Sequence, residues 1–222
     1  MSEPALSLSK GVSVIKNLYE KMKIHCKFLI SAADPGHFPP PGVPEIAFLG
    51  RSNVGKSSLL NSLVGEKTAH VSSTPGRTRT INFFEIYLRA KSALPDLRFA
   101  DLPGYGYAKL SKSISAEWPK FIDPYLTERE NLAGCIVLVD SNIPPQPSDL
   151  QLIDFLRSAQ RNLLVVATKA DRLSGNKLSS SLRTLSQELQ IEAVLPYSAK
   201  TGAGKEQLWK EIKKLTSQIA ED

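Results

Sequence analysis

The sequence predicts an α/β fold: a mostly parallel six-stranded sheet with one antiparallel strand and helices on both faces. Three observations predict it. Short apolar runs alternate with helix-period patterns from residue 45 onward, the signature of a parallel sheet covered by helices. A glycine-rich octet ending in Lys56-Ser57 stands between the first such run and a helical pattern. The composition of 222 residues, 41% hydrophobic, 23% charged and 7% aromatic, is that of an ordinary globular chain, which excludes collagen-like, disordered and disulfide-scaffold classes.

Residues 1–43 read as an N-terminal extension and 44–222 as one domain. The extension holds a helical pattern over 12–22, the short apolar segment Phe28-Leu29-Ile30, and a stiff stretch with Pro35, Pro39, Pro40 and Pro41 that leads to Pro44. Strands are expected at 46–49, 83–88, 97–100, 135–139, 163–167 and 194–197. The second and third are joined by residues 89–96, too few for a parallel crossover, so they should pair antiparallel. Helices are expected after Lys56 and at 117–128, 149–158, 179–189 and 205–219. The last places Leu208, Ile212, Leu215 and Ile219 on one stripe, which reads as a surface docked on its own domain rather than a partner site.

The two cysteines, Cys26 and Cys135, lie far apart among apolar residues and read as buried thiols of a reducing cytosol. No signal-peptide pattern opens the chain, Ser2 stands where myristoylation needs glycine, and the last residues carry no prenylatable cysteine. With no apolar run near the ~20 residues that span a bilayer, the expectation is a soluble cytoplasmic protein without a membrane partner. Lys and Arg total 28 against 22 Asp and Glu, a net charge of +6. Residues 67–112 alone hold eight basic and three acidic side chains, 8 − 3 = +5, so nearly all the excess lies in one segment. That excess permits a polyanionic partner.

The octet Gly50-Arg51-Ser52-Asn53-Val54-Gly55-Lys56-Ser57 follows a strand and precedes a helix. Its glycines let successive amides converge on the α and β phosphates of a nucleotide at the helix amino end. Lys56 would reach the β and γ oxygens, and Ser57 would give its hydroxyl to Mg2+. A second metal carboxylate is expected from Asp101, which opens Asp101-Leu102-Pro103-Gly104 at the end of a strand; Gly104 would bring an amide to the γ phosphate. Between these motifs lies the polar segment Ser72-Ser73-Thr74-Pro75-Gly76-Arg77-Thr78-Arg79-Thr80, suited to a loop that orders around a ligand. Thr78 is the first choice there for a hydroxyl on Mg2+ and an amide on the γ phosphate, with Thr74 and Thr80 as alternatives.

The base site follows the same logic. Thr168-Lys169-Ala170-Asp171 and Tyr197-Ser198-Ala199 each close a strand. The Asp171 carboxylate can accept from the imino and amino groups of guanine, a pair that adenine does not offer. Lys169 can lay its stem along the base or ribose, and the Ala199 amide can donate to the guanine carbonyl. Together these motifs predict a three-layer P-loop GTPase fold that binds GTP and GDP. The order of motifs resembles the translation-factor-type GTPases, whose base motif begins with asparagine where this chain has Thr168, leaving Asp171 most of the discrimination.

More closely, the phosphate loop, Pro75-Gly76-Arg77-Thr78-Arg79-Thr80-Ile81-Asn82-Phe83-Phe84 and Asp101-Leu102-Pro103-Gly104-Tyr105-Gly106-Tyr107-Ala108 resemble the EngB family of bacterial GTPases, over about residue 44 to the end. The resemblance implies assembly of the large ribosomal subunit, with its rRNA and ribosomal proteins as partners, and a need for the protein in normal septation. The loop after Asp140, Ser141 to Pro147, departs from the pattern by lacking a basic residue near its start. Tyr105 occupies the place where many GTPases carry a water-orienting glutamine, and the resemblance implies that it points away. Slow intrinsic hydrolysis is therefore expected, with acceleration by a partner or by a cation. Asn53 matches a position that in related GTPases helps hold K+ between phosphates; the alternative is that it only braces the loop. Arg77 or Arg79 can act as a finger in cis or meet an outside partner. Two other readings are a P-loop phosphotransferase acting on a small acceptor, disfavoured by Asp171, and a trafficking GTPase, which normally needs an anchor.

Overall fold

The computed structural model describes residues 24–66, 80–89, 92–105 and 120–218. Seven strands form one sheet: β1 (His25–Ala32), β2 (Glu45–Gly50), β3 (Ile81–Tyr87), β4 (Leu97–Asp101), β5 (Leu132–Asp140), β6 (Leu163–Thr168) and β7 (Val194–Pro196). The spatial order is β1-β3-β4-β2-β5-β6-β7. β3 runs against both of its neighbours and all other pairings are parallel, so one strand opposes the remaining six. The expected antiparallel pair is present, with Ile86 opposite Leu97 and Asn82 opposite Asp101.

Among the described residues the strand count is seven, not six. The segment around Phe28-Leu29-Ile30, assigned by sequence to an extension, forms edge strand β1, paired with β3 from His25↔Tyr87 to Ala32↔Ile81. A register shift between Phe28 and Ile30 breaks its alternation, and Phe28 is 49% exposed. Edge strands interrupted in this way lose the period-2 signal by which strands are read. The helical pattern at 12–22 lies outside the described residues.

Among the described residues five α-helices cover the sheet: α1 (Lys56–Val64), α2 (Ile122–Glu128), α3 (Pro147–Ser158), α4 (Gly175–Glu188) and α5 (Lys205–Ser217). On one face, Leu59, Leu60 and Leu63 of α1 and Leu208, Trp209 and Ile212 of α5 meet Ile46, Phe48, Phe99 and Ile136. On the other, Ile122 and Tyr125 of α2, Leu152 and Leu156 of α3 and Leu185 of α4 meet Ala47, Leu49, Phe83 and Val137. Burial on both faces explains why β5 is an almost unbroken apolar run. The stripe on α5 docks on its own domain as expected: Leu208 and Ile212 are fully buried, Leu215 packs beside them, and Ile219 lies outside the described residues. Both cysteines are buried thiols outside any disulfide.

Side chains from elsewhere in the fold also satisfy carbonyls at the carboxyl ends of α1 and α2. Lys205 Nζ donates to Ser62 O at 2.8 Å and Trp209 Nε1 to Leu63 O at 3.2 Å, so α5 satisfies carbonyls that the last turn of α1 leaves open. A cation there also complements the helix dipole. Arg161 does the same for α2 through Leu126 O at 2.6 Å.

Candidate functional site

Four adjacent parallel strands end side by side: β4 at Asp101, β2 at Gly50, β5 at Asp140 and β6 at Thr168. The chain leaves β2 toward β3 and β4 on one side and reaches β5 on the other, so this edge is a topological switch point, where open α/β sheets bind ligands.

The phosphate loop bridges β2 and α1. Asn53 and Gly55 have φ of 65° and 107°, and the left-handed turn at Gly55 opens α1 directly before Lys56 and Ser57. Such a turn points consecutive amides into one concavity, and the helix amino end adds positive potential there. Val54 N donates to Arg51 O at 3.1 Å, which closes the loop. Lys56 forms an ion pair with Asp101, and both side chains are nearly buried. Lys56 must exchange this carboxylate for phosphate oxygens to act as expected from the sequence.

Asp101-Leu102-Pro103-Gly104 lies against the loop. A Cβ on Gly104 would stand 3.0 Å from Ser52 Oγ and 3.1 Å from Ser52 N, tighter than side chains ordinarily pack, so glycine favours this approach. Tyr105 O accepts from Ser52 N at 3.1 Å. Thr80, just before β3, has its hydroxyl 3.5 Å from Asn82 Oδ1, and Asn82 sits opposite Asp101. Gly76, Arg77, Thr78, Arg79 and the alternative Thr74 lie outside the described residues.

The base motifs meet on the other side of α1. Gly55, Thr168, Lys169, Asp171, Tyr197 and Ala199 line one cleft of ≈ 850 Å³, together with Arg172 and Lys200. The Thr168 hydroxyl lies 2.6 Å from Val54 O and 3.0 Å from Val139 O, which braces the phosphate loop from β6. Lys169, at φ 58°, donates to Asn53 O at 3.0 Å and Asp140 Oδ2 at 2.7 Å. Its stem is thereby laid across the cleft. Asp171 accepts from Ser198 Oγ at 2.6 Å, and that bond holds its carboxyl below the usual range against a smaller opposing effect of burial. Thr201 N in turn donates to Ser198 Oγ at 3.1 Å. Tyr197 N donates to Ala167 O, and its phenol, pushed up to about 12 by burial, donates to Ser62 Oγ at 3.1 Å. Ala170 N donates to Tyr197 O, which joins the two base motifs.

Residues 45–169 match the family described as 50S ribosome-binding GTPase. The chain is 62% identical over 200 residues to the probable GTP-binding protein EngB of Acidobacterium capsulatum, covering 90% of this chain and 95% of the relative. The chain belongs to the EngB family of GTPases. A second EngB relative, from Koribacter versatilis, is 58% identical over 191 residues, covering 86% of this chain and 94% of the relative. The crystal structure of a probable GTP-binding protein engB superposes with a TM-score of 0.61 at 25% identity, over 80% of this chain and all of that one. Aquifex aeolicus Era bound to GDP.AlF4- shares the fold, with a TM-score of 0.63 at 24% identity over 79% of this chain and 57% of that one. As an EngB-family member the chain binds guanine nucleotides and hydrolyses GTP. Among the described residues no helix is long and apolar enough to cross a membrane.

Two side chains next to the site, Asp140 and Asp149, were not singled out from this EngB sequence. Asp140 receives Lys169 and, through Oδ1, both Asn142 N at 3.0 Å and Asn142 Nδ2 at 2.8 Å. Burial pushes its carboxyl up, but these donors outweigh it and hold it low. Its place at the end of a strand was the available signal. Asp149 is the second: Nε of the predicted loop residue Arg51 stands 3.3 Å from its Oδ1, an ion-pair distance without hydrogen-bond alignment.

Proposed function

We propose that this EngB-family GTPase is a nucleotide-dependent switch in assembly of the large ribosomal subunit. It acts as a cytoplasmic monomer, docks in its GTP form on the rRNA and ribosomal proteins of the precursor, and supports normal septation through that role. The observation that carries the reading is the match of residues 45–169 to the family described as 50S ribosome-binding GTPase. The concentration of positive charge in 67–112 supports an RNA-rich partner.

Within the site, amides of Gly50 to Ser57 cradle the phosphates, Lys56 neutralises the β and γ oxygens, and Gly104 and Thr78 sense the γ phosphate. Arg77 and Arg79 meet the partner, and Leu102 and Pro103 carry the chain from Asp101 to Gly104. Lys169, Asp171 and Ala199 hold guanine; Thr168, Ala170, Tyr197 and Ser198 hold those three in place. Ser57, Asp101 and Thr78 offer only oxygen donors, the set a hard ion such as Mg2+ takes. Among the described residues no cluster of three or more His, Cys, Asp or Glu could cage a metal alone, so phosphate oxygens complete the set. Mg2+, when bound, offsets charge on the β and γ phosphates. Hydrolysis is slow because Tyr105 supplies no group to orient water, and Asn53 would help hold a K+ ion that would offset charge on the phosphates.

Co-sedimentation with large subunits tests the switch. Binding with a non-hydrolysable GTP analogue, loss with GDP, and a steep fall with added salt are expected. Equal binding with both nucleotides would overturn it.

A further inference from the structure

We propose that Tyr105 is a positioning residue for GTP hydrolysis: its buried phenol, held by Asp149 beside Arg51, clamps the metal loop onto the phosphate loop. The proposal rests on the hydrolytic activity of the chain and assigns Tyr105 a role other than contact with water. Tyr105 directly follows Gly104, yet it is 1% exposed and its ring lies in the core with Tyr125, Ile153 and Leu152. From there the phenol donates to Asp149 Oδ1 at 3.1 Å.

Asp149 is itself 1% exposed and fully engaged. Its Oδ2 accepts from Gln146 N at 2.9 Å at the start of α3, while Oδ1 is shared by Tyr105 and the Arg51 guanidinium. Arg51 belongs to the phosphate loop, so one carboxylate joins that loop, the metal loop and α3. The backbone repeats the connection: Tyr105 O accepts from Ser52 N at 3.1 Å and Tyr105 N donates to Gly50 O at 3.4 Å. Gly104 is thereby held against Ser52, where a Cβ would be crowded at 3.0–3.2 Å.

The amide of Gly104 can serve the γ phosphate only if its place is set before reaction, because an error of about 1 Å in a positioned group costs on the order of 100-fold in rate. Hydrogen bonds to a charged acceptor are among the stronger ones, so the phenol is well suited to set that place. A side chain that only filled space would not need its hydroxyl.

Tyr105→Phe keeps the ring and removes the hydroxyl. Single-turnover GTP hydrolysis should fall about tenfold, with KM for GTP and the affinity for a fluorescent GDP analogue within about twofold of wild type. Asp149→Asn should give a similar fall, and the double variant should be no slower than the slower single one. A wild-type rate in Tyr105→Phe overturns the clamp, as does a parallel loss of GDP affinity, which a merely structural role would produce. If the wild-type chain binds GTP without hydrolysing it, the activity itself is overturned instead.

Discussion

The hydroxyl of Thr168 lies 2.6 Å from the carbonyl oxygen of Val54, so the strand that ends in the base motif also braces the phosphate loop. A hydroxyl carries one proton, and Val139 O at 3.0 Å is the second acceptor within its reach. Thr168→Val preserves shape but leaves these buried carbonyls without the donor. Affinity for GTP and GDP should fall together, about tenfold, with guanine preference unchanged, while Thr168→Ser should bind as wild type does. Titrations with fluorescent guanine and xanthine nucleotides check this; a change of base preference in the valine variant would move Thr168 from bracing to recognition.

Asp171 and Ser198 make a prediction about pH. The bond from Ser198 lowers the pKa of Asp171, so the ionised carboxylate persists as pH falls through the ordinary carboxylate range and is lost only below it. Removing the donor in Ser198→Ala raises that pKa, and the pH at which GDP affinity is half lost should move upward. Asp171→Asn should instead shift preference from guanine toward xanthine at all pH values. GDP titrations across acid pH measure both, and a Ser198→Ala profile superposable on wild type would remove Ser198 from this role.

What could be read from the sequence was local. The curvature of the phosphate loop, the lysine and the hydroxyl are eight consecutive residues, and each strand buried on both faces is a continuous apolar run. The candidate residues from Gly50 to Ser57, Asp101 to Gly104, Thr168 to Asp171 and Tyr197 to Ala199 converge on one edge of the sheet. β1 was not legible, because its partner β3 lies far along the chain and its own pattern is broken by the shift at Phe28 and by exposed Lys27. Asp149 was hidden differently: the sequence places it only at the start of a helix, the structure shows it closing a capping box with Gln146, and only folding brings Arg51 and Tyr105 to it.

Asn53 supports a prediction about cations. Its left-handed backbone turns the loop, and its carbonyl accepts from Lys169. Asn53→Gly keeps that backbone accessible while deleting the side chain. Single-turnover hydrolysis should run faster in K+ than in Na+ by about tenfold or more, and the difference should vanish in Asn53→Gly. Equal wild-type rates in the two buffers would end the potassium role and leave Asn53 as a loop brace.

Glu45 opens β2, at the opposite end of that strand from Gly50, roughly 16 Å away by the rise of an extended chain. It is fully buried and carries a concentrated set of donors: Arg129 Nε at 3.0 Å and a second guanidinium nitrogen at 2.7 Å, Arg98 at 3.4 Å and the Tyr125 phenol at 3.1 Å. The same two arginines donate to Pro39 O at 2.6 Å and Pro40 O at 2.7 Å, so the proline-rich lead-in is held down by the cluster. Phe38 adds edge contacts to Phe83, Phe121 and Tyr125. Glu45→Gln leaves two guanidinium groups around a neutral amide whose nitrogen repels them. Breaking a buried pair in this way costs about 3–5 kcal/mol, so the thermal midpoint should drop by roughly 10 °C. Cleavage of residues 38–44 by added protease should quicken as the arginines release the proline carbonyls. Hydrolysis per folded molecule should not change, because nothing in the cluster touches the phosphate loop. Thermal unfolding followed by circular dichroism, with single-turnover assays below the transition, separates the two effects. A stable variant with impaired hydrolysis would mean that this end of the sheet communicates with the nucleotide edge.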